Sequence, residues 1–272
     1  AHLPMDVKKV LYISQEIHPY VPANTISRLC CDLPRGIQER GIEVRTFMPR
    51  YGIINERRNQ LHEVIRLSGM NIIIDDTDHP LIITVATLQP TRMQVYFMDN
   101  DDYFERHTSD GLEVDIHPAD NDERSMFFVR GSVETVKKLR WDASVVHCTG
   151  WLAALAPLYL RHKYKDDPTF RTGRIVMSLV PDRFEGTLDE RLRDKLIMEG
   201  FEPDQLSVLG ERPVDYNTLM RIAIDNSDAL VEALPGVDPE VLEYARASGK
   251  PILSCGDEAV TPEAVAQFYT TL

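Results

Sequence analysis

The chain has 272 residues, 43% hydrophobic and 27% charged, a balance that fits a folded domain with a sizeable core and argues against disorder. With 30 Lys and Arg against 43 Asp and Glu the net charge is −13, which disfavours nucleic acid as a partner because phosphate binding needs clustered cations. No apolar run approaches the roughly 20 residues that cross a bilayer, and the start lacks the regions of a secretory signal, so the expectation is a cytoplasmic chain without a membrane partner.

Lys8 to Ser14 reads as a buried parallel strand, an apolar β-rich run ended by polar residues. Thr25 to Arg40 then carries Ile26, Leu29, Cys30, Leu33 and Ile37 at helical spacing, and Pro34 within it predicts a kink or break near Asp32–Leu33. Gly41 stops that helix, and Glu43 to Met48 reads as a second strand, completing a βαβ unit with parallel strands. Between Glu56 and Met98 the texture changes to short alternating runs: His62–Leu67, Asn71–Asp75, Leu81–Leu88 and Met93–Met98. They suggest a hairpin-rich insertion, with Asp76 to Pro80 as one of its turns.

A long helix is expected from about Asp122 to Leu139, then strand Ala143–His147, helix Leu152–Tyr164 and strand Arg174–Leu179. The remainder alternates: helices Leu188–Met198 and Asn217–Ile224, strand Ala229–Ala233, helix Pro239–Ala247, strand Pro251–Ser254 and helix Pro262–Tyr269. No repeat, low-complexity tract or linker divides the chain. The prediction is a single α/β domain over residues 5–272, Rossmann-like and doubly wound, with a mainly parallel sheet and a hairpin insertion at about 56–98. Cys30, Cys31, Cys148 and Cys255 form no CxxC pair and read as reduced, structural thiols.

Several blocks resemble one family in order and at compatible spacing. They are Lys9 to Glu16 with Pro19, Arg40 to Arg45, Met48 to Gly52, and Val95 to Asn100 with Tyr103, Phe104 and Arg106. Asp120-Asn121 with Arg124, Phe127 and Phe128 continues the match, as do Trp141, Val145 to His147, Trp151 and Leu155 to Leu160. Together they resemble the N-terminal half of family-5 glycosyltransferases, the bacterial glycogen and plant starch synthases. That resemblance implies one Rossmann-like half of a two-domain enzyme. In the family this half chiefly holds the acceptor glucan, and a C-terminal domain, before which this chain ends, binds ADP-glucose.

The motifs that carry the family's chemistry are altered. A Lys-x-Gly-Gly-Leu loop, whose backbone N–H groups and lysine suit a diphosphate, stands here as Pro22-Ala23-Asn24-Thr25-Ile26, with no glycine between Lys8 and Arg35. His-x-His-Asp-Trp-His stands as His147-Cys148-Thr149-Gly150-Trp151-Leu152, and a later family histidine falls on or beside Val180. Pro22, Thr25, Thr149, Gly150 and Val180 therefore mark degenerate motif positions. The expectation is a chain with no catalytic residues that does not use ADP-glucose and needs no cofactor. Its expected ligand is an α-glucan or a protein partner; the alternative is a half-enzyme acting with a separate ADP-glucose-binding chain.

Tyr20, His147 and Trp151 are the candidate glucan-binding residues. Aromatic faces suit the apolar face of a pyranose, and an imidazole can bond its hydroxyls. His18 lies on the same loop as Tyr20. The competing reading makes Trp151 a core residue, His147 a packed and satisfied histidine, and the 18–20 loop ordinary surface. Asp75, Asp76, Asp78 and His79 read as an exposed turn rather than a metal site. Asp99 to Asp102 lacks the glycine and glutamate of a calcium loop, so no metal is expected.

Overall fold

The computed structural model describes residues 4–104 and 119–272; Arg106 lies outside them. The strands are β1 (Lys9–Ser14), β2 (Glu43–Pro49), β3 (His62–Glu63), β4 (Met70–Ile74), β5 (Thr77–Leu88), β6 (Met93–Asp99), β7 (Val145–Thr149), β8 (Arg174–Leu179), β9 (Ala229–Glu232) and β10 (Ile252–Ser254). They join in the order β10-β9-β8-β7-β1-β2-β6-β5-β3, with β4 paired to β5. From β10 to β6 every pairing is parallel, whereas β3, β4 and β6 each meet β5 antiparallel. Of the stretch read as an insertion, β6 thus belongs to the parallel body, and β3 to β5 form the antiparallel extension.

The helices are α1 (Thr25–Glu39), α2 (Asn121–Leu139), α3 (Ala156–Leu158), α4 (Leu192–Met198), α5 (Tyr216–Asp225), α6 (Pro239–Ala247) and α7 (Pro262–Thr270). Asn24 caps α1 with its side-chain oxygen on the Ser27 N–H, and Ser27 returns the bond to the Asn24 N–H. Helix α1 runs through Pro34 without the expected break. Pro34 has no N–H for the Cys30 carbonyl, and packing of the buried Leu29, Leu33 and Ile37 face outweighs that loss. Gly36 lets α7 close in: a Cβ there would stand 2.3 Å from the Pro262 ring.

Three other expectations shift. Residues 152–164 are not one regular helix but a 3-10 turn at Trp151–Ala153, then α3, then a wider turn over Tyr159–Lys163 in which Tyr164 N–H reaches the Tyr159 carbonyl. Pro157 is the reason, since it has no N–H for the Ala153 carbonyl. The hairpin turn is Asp75–Asp76, both at positive φ (50° and 63°), and Thr77 to Pro80 already belong to β5. That register turns His79 inward to the Tyr103 hydroxyl at 2.9 Å. Helix α4 starts at Leu192, later than predicted, and Asp189 before it bonds Lys195.

Lys195 ties α4 to α2. Its buried ammonium lies 2.9 Å from Asp122, 2.9 Å from Glu123 and 3.0 Å from Asp189. Burial alone would pull its pKa down; the three carboxylates outweigh burial and hold the lysine charged. Cys30, Cys31 and Cys148 are buried and Cys255 half-buried, all four as free thiols.

Candidate functional site

In an open parallel sheet, ligands gather beyond the carboxyl ends of the strands where the winding reverses direction. Here that point lies between β1 and β7, since β2 continues on one side of β1 and β7 begins the other. β1 delivers Gln15 and Glu16 to this edge, β7 delivers Gly150, and the loop after β8 delivers Asp182. The Gln15 side chain lies across Gly150, and its Oε1 accepts the Leu152 N–H at 3.2 Å. Asp182 accepts the Trp151 N–H at 2.8 Å and the Tyr216 hydroxyl at 2.7 Å. These two N–H groups open the helical segment after β7, the place where an anion would otherwise dock.

Glu16 is also interior, accepting from Gln15 Nε2 at 2.9 Å and from Asn24 Nδ2 at 2.7 Å. Burial raises Asp182 to about 6 despite its hydrogen bonds, and the nearby Glu16 charge adds to the rise. Gly150 makes the arrangement possible. Its φ is +94°, and a Cβ would stand 2.5 Å from the Gln15 side chain. The switch point is therefore packed with the chain's own acceptors.

A second feature opens on the same side of the molecule. The loop after β1 and the loop after β2 line an open cavity of about 480 Å³, with His18, Tyr20, Pro22, Asn55, Arg58 and Asn59 among its walls. Tyr20 packs edge-on against Phe97 at 4.9 Å between ring centres, and burial pushes its phenol up to about 12. The Asn55 side chain accepts the Arg58 N–H at 2.8 Å, which fixes the turn that presents the arginine.

The match to the family model "Starch synthase catalytic domain" spans residues 9–250. This chain belongs to that family. Glycogen synthase of Chlorobium luteolum is 31% identical over 226 residues, covering 82% of this chain and 45% of that protein. Glycogen synthase of Chlorobaculum tepidum is 32% identical over 262 residues, covering 92% and 51%. The fold is similar to the catalytic domain of starch synthase IV from Arabidopsis thaliana, solved with ADP and acarbose. The TM-score is 0.73 at 15% identity, over 95% of this chain and 53% of that one. The chain thus spans about half the length of the curated relatives it matches.

Within this starch synthase-like domain, the three residues singled out for sugar binding do not form one surface. His147 is fully buried: Nδ1 meets the Tyr269 hydroxyl and Nε2 the Ser178 hydroxyl, each at 2.5 Å, and the ring stacks on Tyr12 at 5.3 Å. Burial lowers its pKa to about 3, so the imidazole is neutral and has no free nitrogen for a ligand. Trp151 is 1% exposed and packs edge-on against Phe184 at 4.9 Å. Both side chains turn into the core. Tyr20 alone faces an open cavity.

The altered motif positions fall around the same edge. Thr149 and Val180 are buried, Pro22 and Thr25 are exposed, and Pro22 offers its carbonyl to the Ser27 hydroxyl at 3.2 Å. Sequence reading missed Gln15, Asp182, Asn55 and Arg58. The absence of a side chain at Gly150 was the available signal for Gln15. Arg58 carries no local pattern that would single it out. Among the described residues no cluster could hold a metal ion, and no helix is long and apolar enough to cross a membrane.

Proposed function

We propose that this chain is a non-catalytic member of its family that binds the end of an α-glucan in the Tyr20 cavity. One observation carries the reading: Asp182 and Gln15 occupy the two N–H groups that open the segment after β7. A diphosphate leaving group needs free donors and positive potential, and this edge supplies satisfied donors and two buried carboxylates, Glu16 and Asp182. Loss of a single preorganised donor costs ~10²–10³ in rate, and here the glycine loop and the lysine are missing as well. The same packing counts against a half-enzyme that borrows a donor-binding chain, since the occupied groups lie in this half.

For the glucan, Tyr20 supplies an aromatic wall and Asn55 and Asn59 supply amides, a combination that suits a pyranose. The test has two parts. The purified chain is expected to transfer no glucose from ADP-glucose to maltoheptaose above a buffer control. It is also expected to be retarded on a glycogen affinity gel, with less retardation after Tyr20→Ala. Turnover abolished by a mutation at the β1–β7 edge would overturn the first part, and equal retardation of wild type and Tyr20→Ala the second.

A further inference from the structure

We infer that the Tyr20 cavity takes a phosphate-bearing sugar, with Arg58 holding the phosphate and Tyr20 the ring. The inference rests on the proposed glucan site and assigns its ligand class. The chain carries 43 acidic residues, yet none of the ten residues lining this cavity is acidic, and the one formal charge among them is that of Arg58. Glu56, two positions before Arg58, is engaged by Arg50, whose Nη2 and Nε lie 3.0 and 3.1 Å from the same carboxylate oxygen. The local balance is therefore positive on a molecule whose net charge is −13.

Its donors are also unspent. Among the described residues the Arg58 guanidinium and the Tyr20 hydroxyl have no hydrogen-bond partner, and His18 Nδ1 is cut off from solvent without one. Arg50 and Arg183, on neighbouring loops, are paired with Glu56 and Asp238, whereas Arg57 beside Arg58 shares its lack of an ion pair among the described residues. A guanidinium offers a planar fork of N–H groups that suits two phosphate oxygens at once. A cavity of about 480 Å³ accommodates a hexose phosphate. A neutral sugar would leave Arg58 without its natural partner.

The phosphate could come from a free hexose phosphate or from a phosphorylated residue within a glucan, and the experiment separates them. Glucose 6-phosphate, a maltooligosaccharide carrying a 6-phosphate, maltoheptaose and inorganic phosphate are titrated calorimetrically into wild type, Arg58→Gln and Tyr20→Ala. The expected result is that a phosphorylated sugar binds at least tenfold more tightly than maltoheptaose. Arg58→Gln should remove that advantage while leaving maltoheptaose binding within twofold. Raising salt should weaken the phosphorylated ligand and spare the neutral one, because only the former is held by charge. Tighter binding of the phosphorylated oligosaccharide than of glucose 6-phosphate assigns the glucan as source, and the reverse order assigns the free sugar. Equal binding of phosphorylated and neutral sugars, lost on changing Tyr20, would overturn this inference and leave the glucan reading standing. Binding of inorganic phosphate as tight as that of either sugar phosphate would overturn the role given to Tyr20. No binding of any sugar would overturn both readings.

Discussion

The switch point between β1 and β7 and the cavity beside Tyr20 lie along the same carboxyl edge of the sheet, yet they are opposites. At the first, Gln15 and Asp182 consume the N–H groups of Leu152 and Trp151, and Glu16 is itself consumed by Gln15 and Asn24. At the second, Arg58 and Tyr20 keep donors in reserve at the lining of an open cavity. The contrast separates stability from binding: a satisfied polar cluster holds the fold together, while an unsatisfied one has capacity left for a ligand. On this view, substitutions at the packed edge should damage stability and leave ligands aside, and substitutions at the cavity should do the reverse.

The largest effect is expected from Gly150→Ala. The new Cβ must enter space held by Gln15 and adopt a positive φ, so unfolding in urea should show a loss of roughly 3 kcal/mol. Adding Gln15→Ala should recover the steric part and leave the backbone strain. Full additivity of the two changes would show that Gln15 does not fill the crevice in solution.

Acid should come next. The pKa of His147 is lowered to about 3 in the fold against 6.5 in an unfolded chain, so the unfolded state takes up the proton first. Its contribution is fully present above pH 6.5 and is lost as the pH falls from there toward 3, amounting to about 2 kcal/mol at pH 5. Denaturation of wild type and His147→Gln at pH 7 and 5 reads this directly. A wild-type stability that is no more pH-sensitive than the variant's would contradict the buried neutral imidazole.

Asp182 works in the opposite sense and more weakly. Its pKa is raised to about 6 against 3.8 in an unfolded chain, so in that window the folded state holds the extra proton. Relative to Asp182→Asn, the wild type should gain about 1 kcal/mol on going from pH 7 to 5. A gap that stays constant with pH would show that the carboxylate is not desolvated. The smallest effect belongs to the cavity: Arg58→Gln should change stability by less than about 0.5 kcal/mol, because the exposed guanidinium holds no partner among the described residues. A loss above 1 kcal/mol would make Arg58 structural and blur the contrast.

Much of this arrangement was legible in the residues themselves. The continuous apolar runs of β1, β7 and β8 signal strands covered on both faces, and β8 and α6 fall at their expected bounds because sharp polar and proline boundaries delimit them. The alternation of β4 and β5 signals an antiparallel extension, and the ordered blocks from Lys9 to Leu160 signal the family. Such features depend on neighbours in sequence, so the sequence expresses them directly. What it left open depends on partners far along the chain. His147 reads the same whether its nitrogens meet a sugar or Ser178 and Tyr269, 31 and 122 residues away. Gly150 announces a missing side chain but not that Gln15, 135 positions earlier, takes the space. Pro34 predicts a broken helix from local sterics, and only the packing of α1 outweighs it. Local propensity and periodicity decided which segments became strands and helices. Only the tertiary structure decided which polar groups found each other and were spent, and which, at Tyr20 and Arg58, were left with hydrogen-bonding capacity for a ligand.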